Sequence, residues 1–151
     1  MKHSRRFWKM LCILLAAAFV GVLLSIIICA VAVRTTTYTV TLQSLSSPLR
    51  LVAVSDLHGR SFGRDNSRLL EKIRAQKPDA ILLVGDMFDR SAGESDAERL
   101  AALVGTLTDI APVFFAPGNH EQTYMKTDPT LLDRMAQAGA TVVNDSYVDV
   151  T

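Results

Sequence analysis

The chain has 151 residues, enough for one domain and not two. Its 16 Lys and Arg nearly cancel its 15 Asp and Glu, leaving a net charge of +1 and no bulk electrostatic case for nucleic acid. The two cysteines, Cys12 and Cys29, supply no disulfide framework.

In chain order, residues 1–9 are a basic segment with Lys2, Arg5, Arg6 and Lys9, and no further charge occurs until Arg34. The intervening stretch 10–33, "MLCILLAAAFVGVLLSIIICAVAV", is about 24 residues long, and roughly 20 apolar residues cross a bilayer as a helix. Both cysteines lie inside it, too far apart along one helix to pair, and Ile28 is bulky where a lipid-attachment signal needs a small residue. The basic flank places the N-terminus in the cytoplasm and the chain after Arg34 across the membrane, with Trp8 at the interface. Ala30-Val31-Ala32 also has the small-x-small pattern of a cleavage site, but secretory apolar cores span only about 7–15 residues. The run therefore reads as an uncleaved, single-pass signal anchor in the cell membrane, with the domain on the extracytoplasmic side. Cleavage would deliver the domain to that same side.

Residues 34–48 are rich in Thr and Ser, with Tyr38, Val40 and Leu42 alternating, and read as a linker or an edge strand. Beyond them come four short apolar runs: "LRLVAV" (49–54), "AILLV" (80–84), "VFFA" (113–116) and "TVVN" (141–144). Runs of this kind read as strands buried on both faces. Helical segments alternate with them. Leu69, Leu70 and Ile73 repeat on one face between Asn66 and Gln76, and Pro78 ends that segment. Ser95 and Glu98 form an S-x-x-E capping box opening a helix with Leu100, Leu103, Val104, Leu107 and Ile110 on one face. Asp128-Pro129 reads as a cap with proline at the first helical position, and Gly139 follows the last turn. Alternating strands and helices predict a mainly parallel sheet with helices packed on it.

Ligands in such sheets gather beyond the carboxyl ends of the strands. There stand Asp56-Leu57-His58-Gly59, then "GDMFD" (85–89), then "PGNHE" (117–121). Singly, each residue has a plain reading as a helix cap, a turn former or a structural histidine. Three consecutive strand ends bearing metal-type ligands, each beside a glycine, are harder to read that way. Carboxylate, imidazole and amide oxygen together suit Mn²⁺, Fe or Zn. An acid such as Asp86 reaches two ions with its two oxygens, and a neutral Asn119 binds an ion without opposing an anionic phosphate. A nucleotide-binding Rossmann domain fits the alternation but not the loops, since no G-x-G-x-x-G or P-loop follows any strand.

The series D-x-H, G-D-x-x-D and G-N-H-[DE], each after a strand and about thirty residues apart, resembles the calcineurin-like metallophosphoesterases, of the bacterial membrane-anchored type. The resemblance covers Leu49 to about Asp145. It implies an α/β fold: the N-terminal half of a metallophosphoesterase-like β-sandwich flanked by helices, preceded by one transmembrane helix. It also implies two divalent metal ions. Asp56 and His58 would bind the first, Asp86 would bridge both, and Asn119 would bind the second. His120 would approach the phosphate as general acid or transition-state stabiliser. Asp89 would orient its neighbours, and Glu121 would partner His120. The expected function is metal-dependent hydrolysis of phosphate esters, with a lipid-linked or envelope-associated substrate at the membrane surface and no nucleic acid.

The family completes its metal pair with further histidines, including a late G-H-x-H, whereas this chain has only His3, His58 and His120. Three ligands remain for one ion and two for the other, against the three plus water usual in catalytic zinc sites. With the closing "YVDVT", this reads residues 49–151 as a partial phosphoesterase domain, the N-terminal portion of a longer protein. Its strands would then leave apolar faces open for a second sheet. The alternative is a non-catalytic, membrane-tethered domain that binds metal or phosphate, or a relic of the enzyme.

Overall fold

The structure, a computed structural model, describes residues 2–43 and 45–148. The side chains of residues 2–5 and 27–31, His3 and Cys29 among them, lie outside that description, as do residues 149–151 of the closing "YVDVT". The chain divides into two compact units, Met1–Arg34 and Thr35–Thr151.

The first unit is helix α1 (Lys2–Val31). With no charge after Lys9 and no proline, nothing interrupts its backbone ladder. The stretch Arg6–Ile26 is long and apolar enough to cross a membrane, with a mean hydropathy of 2.4, and none of it is buried. Phe7, Ile13, Phe19 and Ile26 are all exposed.

In the second unit, residues 35–50 form no strand among the described positions, and Tyr38, Val40 and Leu42 stand exposed. Regular structure starts with β1 (Leu51–Val54) and continues through α2 (Ser67–Gln76), β2 (Ala80–Val84), α3 (Glu94–Thr108) and β3 (Val113–Ala116). The short helix α4 (Asn119–Tyr124), helix α5 (Leu131–Gln137) and β4 (Thr141–Val142) complete it. The sheet order is β1-β2-β3-β4 and every pairing is parallel. The parallel α/β sheet and the positions of the four apolar runs follow the sequence reading.

Neighbouring parallel strands joined by crossovers of one hand put all their helices on one face of the sheet. Burial agrees. On one face Ile81, Leu83, Val113 and Phe115 are fully buried, while on the other Leu51 and Val84 are about half exposed (48% and 50%). The expectation of burial on both faces therefore fails for β1 and for the end of β2. The expected open apolar face is present.

The helix starts also differ from expectation. Helix α3 is capped at Gly93, whose N–H donates to the Asp96 carboxylate at 2.8 Å, so Ser95 lies inside the first turn. Glutamate at 94 and aspartate at 96 suit the positive end of the helix better than a serine one residue later. Helix α5 starts at Leu131, not at Pro129. The Asp128 carboxylate accepts from both the N–H and the hydroxyl of Thr130, which holds that stretch in a turn first. Helix α3 ends at Thr108, short of Ile110.

Candidate metal centre

The loops beyond β1 and β2 are laced by backbone bonds. Asp56 N–H donates to Gly85 O (3.2 Å), His58 N–H to Asp86 O (3.1 Å) and Gly59 N–H to Met87 O (2.8 Å). Buried apolar residues between the polar ones pin each loop: Leu57 separates Asp56 from His58, and Met87 and Phe88 separate Asp86 from Asp89. The polar residues are thereby left at the surface or half-buried while their neighbours point inward.

Asp56 and His58 do not meet by strand alternation, because β1 ends at Val54. Both adopt left-handed backbone, with φ of 56° and 48°, and Asp86 does the same at 54°. Such backbone is uncommon outside glycine but is tolerated best by Asn, Asp and His, and Asp65, Asn66, Lys77 and Asp145 share it elsewhere in the chain. Three of the expected ligands share it. The turn brings Asp56 Oδ1 to 3.6 Å from His58 Nε2.

His58 Nδ1 lies 3.2 Å from the carbonyl of Phe88. A carbonyl only accepts, so this partner assigns a hydrogen to Nδ1 and leaves Nε2 toward the Asp56 carboxylate. At Asp86, the Asn119 amide nitrogen donates to both carboxylate oxygens, at 2.8 and 3.0 Å. Carboxylate, imidazole and amide side chains brought together in this way fit a divalent metal by donor chemistry. Among the described residues, however, no three His, Cys, Asp or Glu side chains gather closely enough to hold an ion by themselves. The ligands stand as two pairs, Asp56 with His58 and Asp86 with Asn119.

Asn119 is the first residue of α4, directly after the capping Gly118. His120 follows; its N–H donates to Asp86 Oδ1 at 3.3 Å, and its ring meets that of His58 edge-on, with centroids 5.1 Å apart. His120 Nδ1 is buried and has no partner among the described residues. Glu121 was expected to partner His120; its carboxylate instead accepts the N–H groups of Asp86, Phe88 and Gly118. Asp89 bonds the N–H of Ser91 within its own loop at 3.2 Å.

Two glycines let these loops meet. A Cβ on Gly118 would lie 2.5 Å from Asp86 N, and one on Gly85 would lie 2.8 Å from Gly118 Cα. Only residues without a side chain fit back to back here.

Beside Asn119 and His120 lies a cavity of about 810 Å³, whose lining includes Asp89, Arg90, Tyr124, Asp128 and Arg134. Its far wall was missed by sequence reasoning, because its members come from α3, α4, α5 and the loop between the last two. Arg134 pairs with Glu94 and, at 3.3 Å, with Asp128, and Tyr124 donates to Asp128 at 3.2 Å. The hydrogen bonds from Thr130 hold the Asp128 carboxyl below its ordinary range, with Arg134 adding to the effect. Burial, and then the bond to Asp128, pushes the Tyr124 hydroxyl up. Tyr124 also packs edge-on against Phe88, with ring centroids 5.2 Å apart, and so backs the loop that holds His58.

Residues 49–147 match the family model of the calcineurin-like phosphoesterases. That match spans most of the chain, and the protein belongs to this family, whose members are phosphoester hydrolases that generally use divalent metals. An uncharacterized metallophosphoesterase of Campylobacter jejuni is 27% identical over 84 residues, covering 54% of this chain and 22% of the relative. The DNA double-strand break repair protein Mre11 of Aeropyrum pernix is 31% identical over 99 residues, covering 57% of this chain and 24% of the relative. The chain thus matches these curated relatives over about a quarter of their length.

Proposed function

We propose that the unit beyond Arg34 carries the metal-binding strand ends of a membrane-anchored phosphoesterase that hydrolyses phosphate esters by attack of water. The observation that carries this reading is the gathering of Asp56 with His58, and of Asp86 with Asn119, at adjacent parallel strand ends of a domain that matches the calcineurin-like phosphoesterase family model. In the proposed roles, Asp56, His58, Asp86 and Asn119 would hold divalent ions, with Asp56 and His58 acting as one pair and Asp86 and Asn119 as the other. Such ions lower the pKa of water and neutralise phosphate charge. Phe88 O fixes the His58 ring through Nδ1, and His120, half-buried and lining the cavity, would deliver a proton to the leaving oxygen or stabilise the charge that develops there. Asp89 borders the same cavity and orients the loop that carries it.

Helix α1 supports the anchor by its length and apolarity. The cluster Lys2, Arg5, Arg6 and Lys9 favours a cytoplasmic N-terminus and an extracytoplasmic domain. A substrate phosphate linked to lipid or envelope material suits a site tethered there. The full-length protein in detergent, supplied with Mn²⁺, is expected to hydrolyse an aryl phosphate monoester or diester, and Asp86→Ala to abolish turnover. Inactivity with Mn²⁺, Fe²⁺ and Zn²⁺ alike would sink the enzyme reading. Metal binding without turnover would favour a second reading, a non-catalytic metal- or phosphate-binding domain, which the lack of a three-ligand cluster among the described residues supports.

A further inference from the structure

Among the described residues Glu121 is the only buried charged or polar side chain, with no exposed surface at all. A buried carboxyl is costly unless its oxygens find donors. Here Oε2 accepts the N–H of Asp86 and of Gly118, each at 2.8 Å, and Oε1 accepts the N–H of Phe88 at 2.9 Å. Capping α4 requires only the bond from Gly118. The other two reach across to the loop after β2, more than thirty residues away in the chain.

Those two bonds fall on the residues that set the candidate ligands. Asp86 has the left-handed backbone that turns its carboxylate toward Asn119 and the His120 N–H. Phe88 holds His58 by its carbonyl and is itself held by its N–H. A single side chain therefore reaches both ligand pairs through backbone, and it follows Asn119 and His120 directly on the first turn of α4.

We propose that Glu121 is the positioning residue of this centre, a buried clamp that locks the backbone of Asp86 and Phe88 onto Gly118 and so sets both ligand pairs at once. The proposal rests on the metal-binding reading given above. It assigns Glu121 no contact with metal or substrate.

The test uses the full chain in detergent. Amide hydrogen exchange is followed at Asp86, Phe88 and Gly118, and Mn²⁺ affinity by the paramagnetic resonance signal of free Mn²⁺. In the wild type, all three amides are expected to exchange slowly although they lie outside the strand ladders. Fast exchange there overturns the clamp without any variant. Glu121→Gln keeps the volume but turns one acceptor into a donor facing an N–H. It is expected to speed exchange at one or more of the three amides at least tenfold and to weaken Mn²⁺ binding at least tenfold. The amides of Ile81 to Leu83 should keep their protection. Glu121→Asp keeps the charge on a shorter stem and is expected to fall between the two. Unchanged exchange in Glu121→Gln, or freed amides with unchanged Mn²⁺ affinity, would overturn the proposal. As the control, Asp86→Asn is expected to lose Mn²⁺ while Phe88 and Gly118 stay protected. Should the wild type bind no Mn²⁺, the metal reading fails, and the clamp stands or falls on amide exchange alone.

Discussion

Helices α3 and α4 start with the same device, Gly-Glu-Ser-Asp at 93–96 and Gly-Asn-His-Glu at 118–121. In each, an extended glycine caps the helix and donates its N–H at 2.8 Å to the acid three residues on. Beyond that bond the two part. Asp96 remains partly exposed and spends its other oxygen on Arg99 of the same helix, whereas Glu121 is buried and bonds a loop from another strand. Gly93 has open space around it, while Gly118 is pressed against Asp86. Identical local signals thus mark one ordinary helix start and one that lies at the candidate metal centre. The difference lies in what the fold brings to the other side.

The comparison breaks most severely at Glu121→Ala against Asp96→Ala. The first leaves three N–H groups without their acceptor, one of them fully buried, at about 1–3 kcal/mol each, so a loss of about 3 kcal/mol or more is expected in urea unfolding of the full chain. The second removes an ordinary cap and costs about 1 kcal/mol. Equal losses would show that the clamp bonds contribute nothing.

Next comes Gly118→Ala against Gly93→Ala. The new methyl at 118 must displace Asp86, as overpacking that costs roughly 1–3 kcal/mol, and Mn²⁺ affinity is expected to fall with it. At 93 the methyl meets nothing within 4 Å, and the cost stays under about 1 kcal/mol with Mn²⁺ affinity intact.

Metal removal sharpens the contrast at a similar scale. Mn²⁺ at a hundredfold excess over its Kd stabilises a folded site by about 2.7 kcal/mol. Stripping it with a chelator is expected to speed amide exchange at Asp86 and Phe88 and to leave Gly93 and Asp96 unchanged. A uniform response across both helix starts would argue against a site localised at α4.

The smallest effect is one of pH at α3. The bond from Gly93 N–H, helped by Arg99, lowers the Asp96 carboxyl below its ordinary 3.8. A depressed folded value stabilises the protein above the unfolded one. The advantage of wild type over Asp96→Asn should therefore be full above about pH 5 and fade as pH falls through 3.8 and the lower folded value. Its size should stay near or below 1 kcal/mol, as for a partly exposed cap. An advantage that persists at pH 2 would show that the carboxylate is not the stabilising group.

Much of this was legible in the residues. "AILLV" and "VFFA" became strands at the predicted bounds, since apolar runs bounded by turn residues have few other ways to be buried. Leu69, Leu70 and Ile73 became the buried face of α2 because helical periodicity is a one-dimensional signal. Asp56, His58, Asp86, Asn119 and His120 could be singled out as candidates because ligands gather at the strand ends of parallel sheets. The partner of Glu121 was not legible, and neither was the wall built by Glu94, Tyr124, Asp128 and Arg134. The bonds of Glu121 to Asp86 and Phe88, and of Arg134 to Glu94, join elements more than thirty residues apart, and no local pattern records them.

Taken alone, the sequence determined the apolar helix, the order of strands and helices, and the chemistry at three strand ends, because each depends on neighbours within a few residues. Only the tertiary structure decided that Asp56 and His58 meet through left-handed turns, that Asp86 faces Asn119, and that Glu121 serves backbone and not His120. The first depends on the backbone bonds from Asp56 and His58 to the loop after β2. The other two depend on how closely the loops after β2 and β3 approach, and the packing of Gly85 against Gly118 sets that distance.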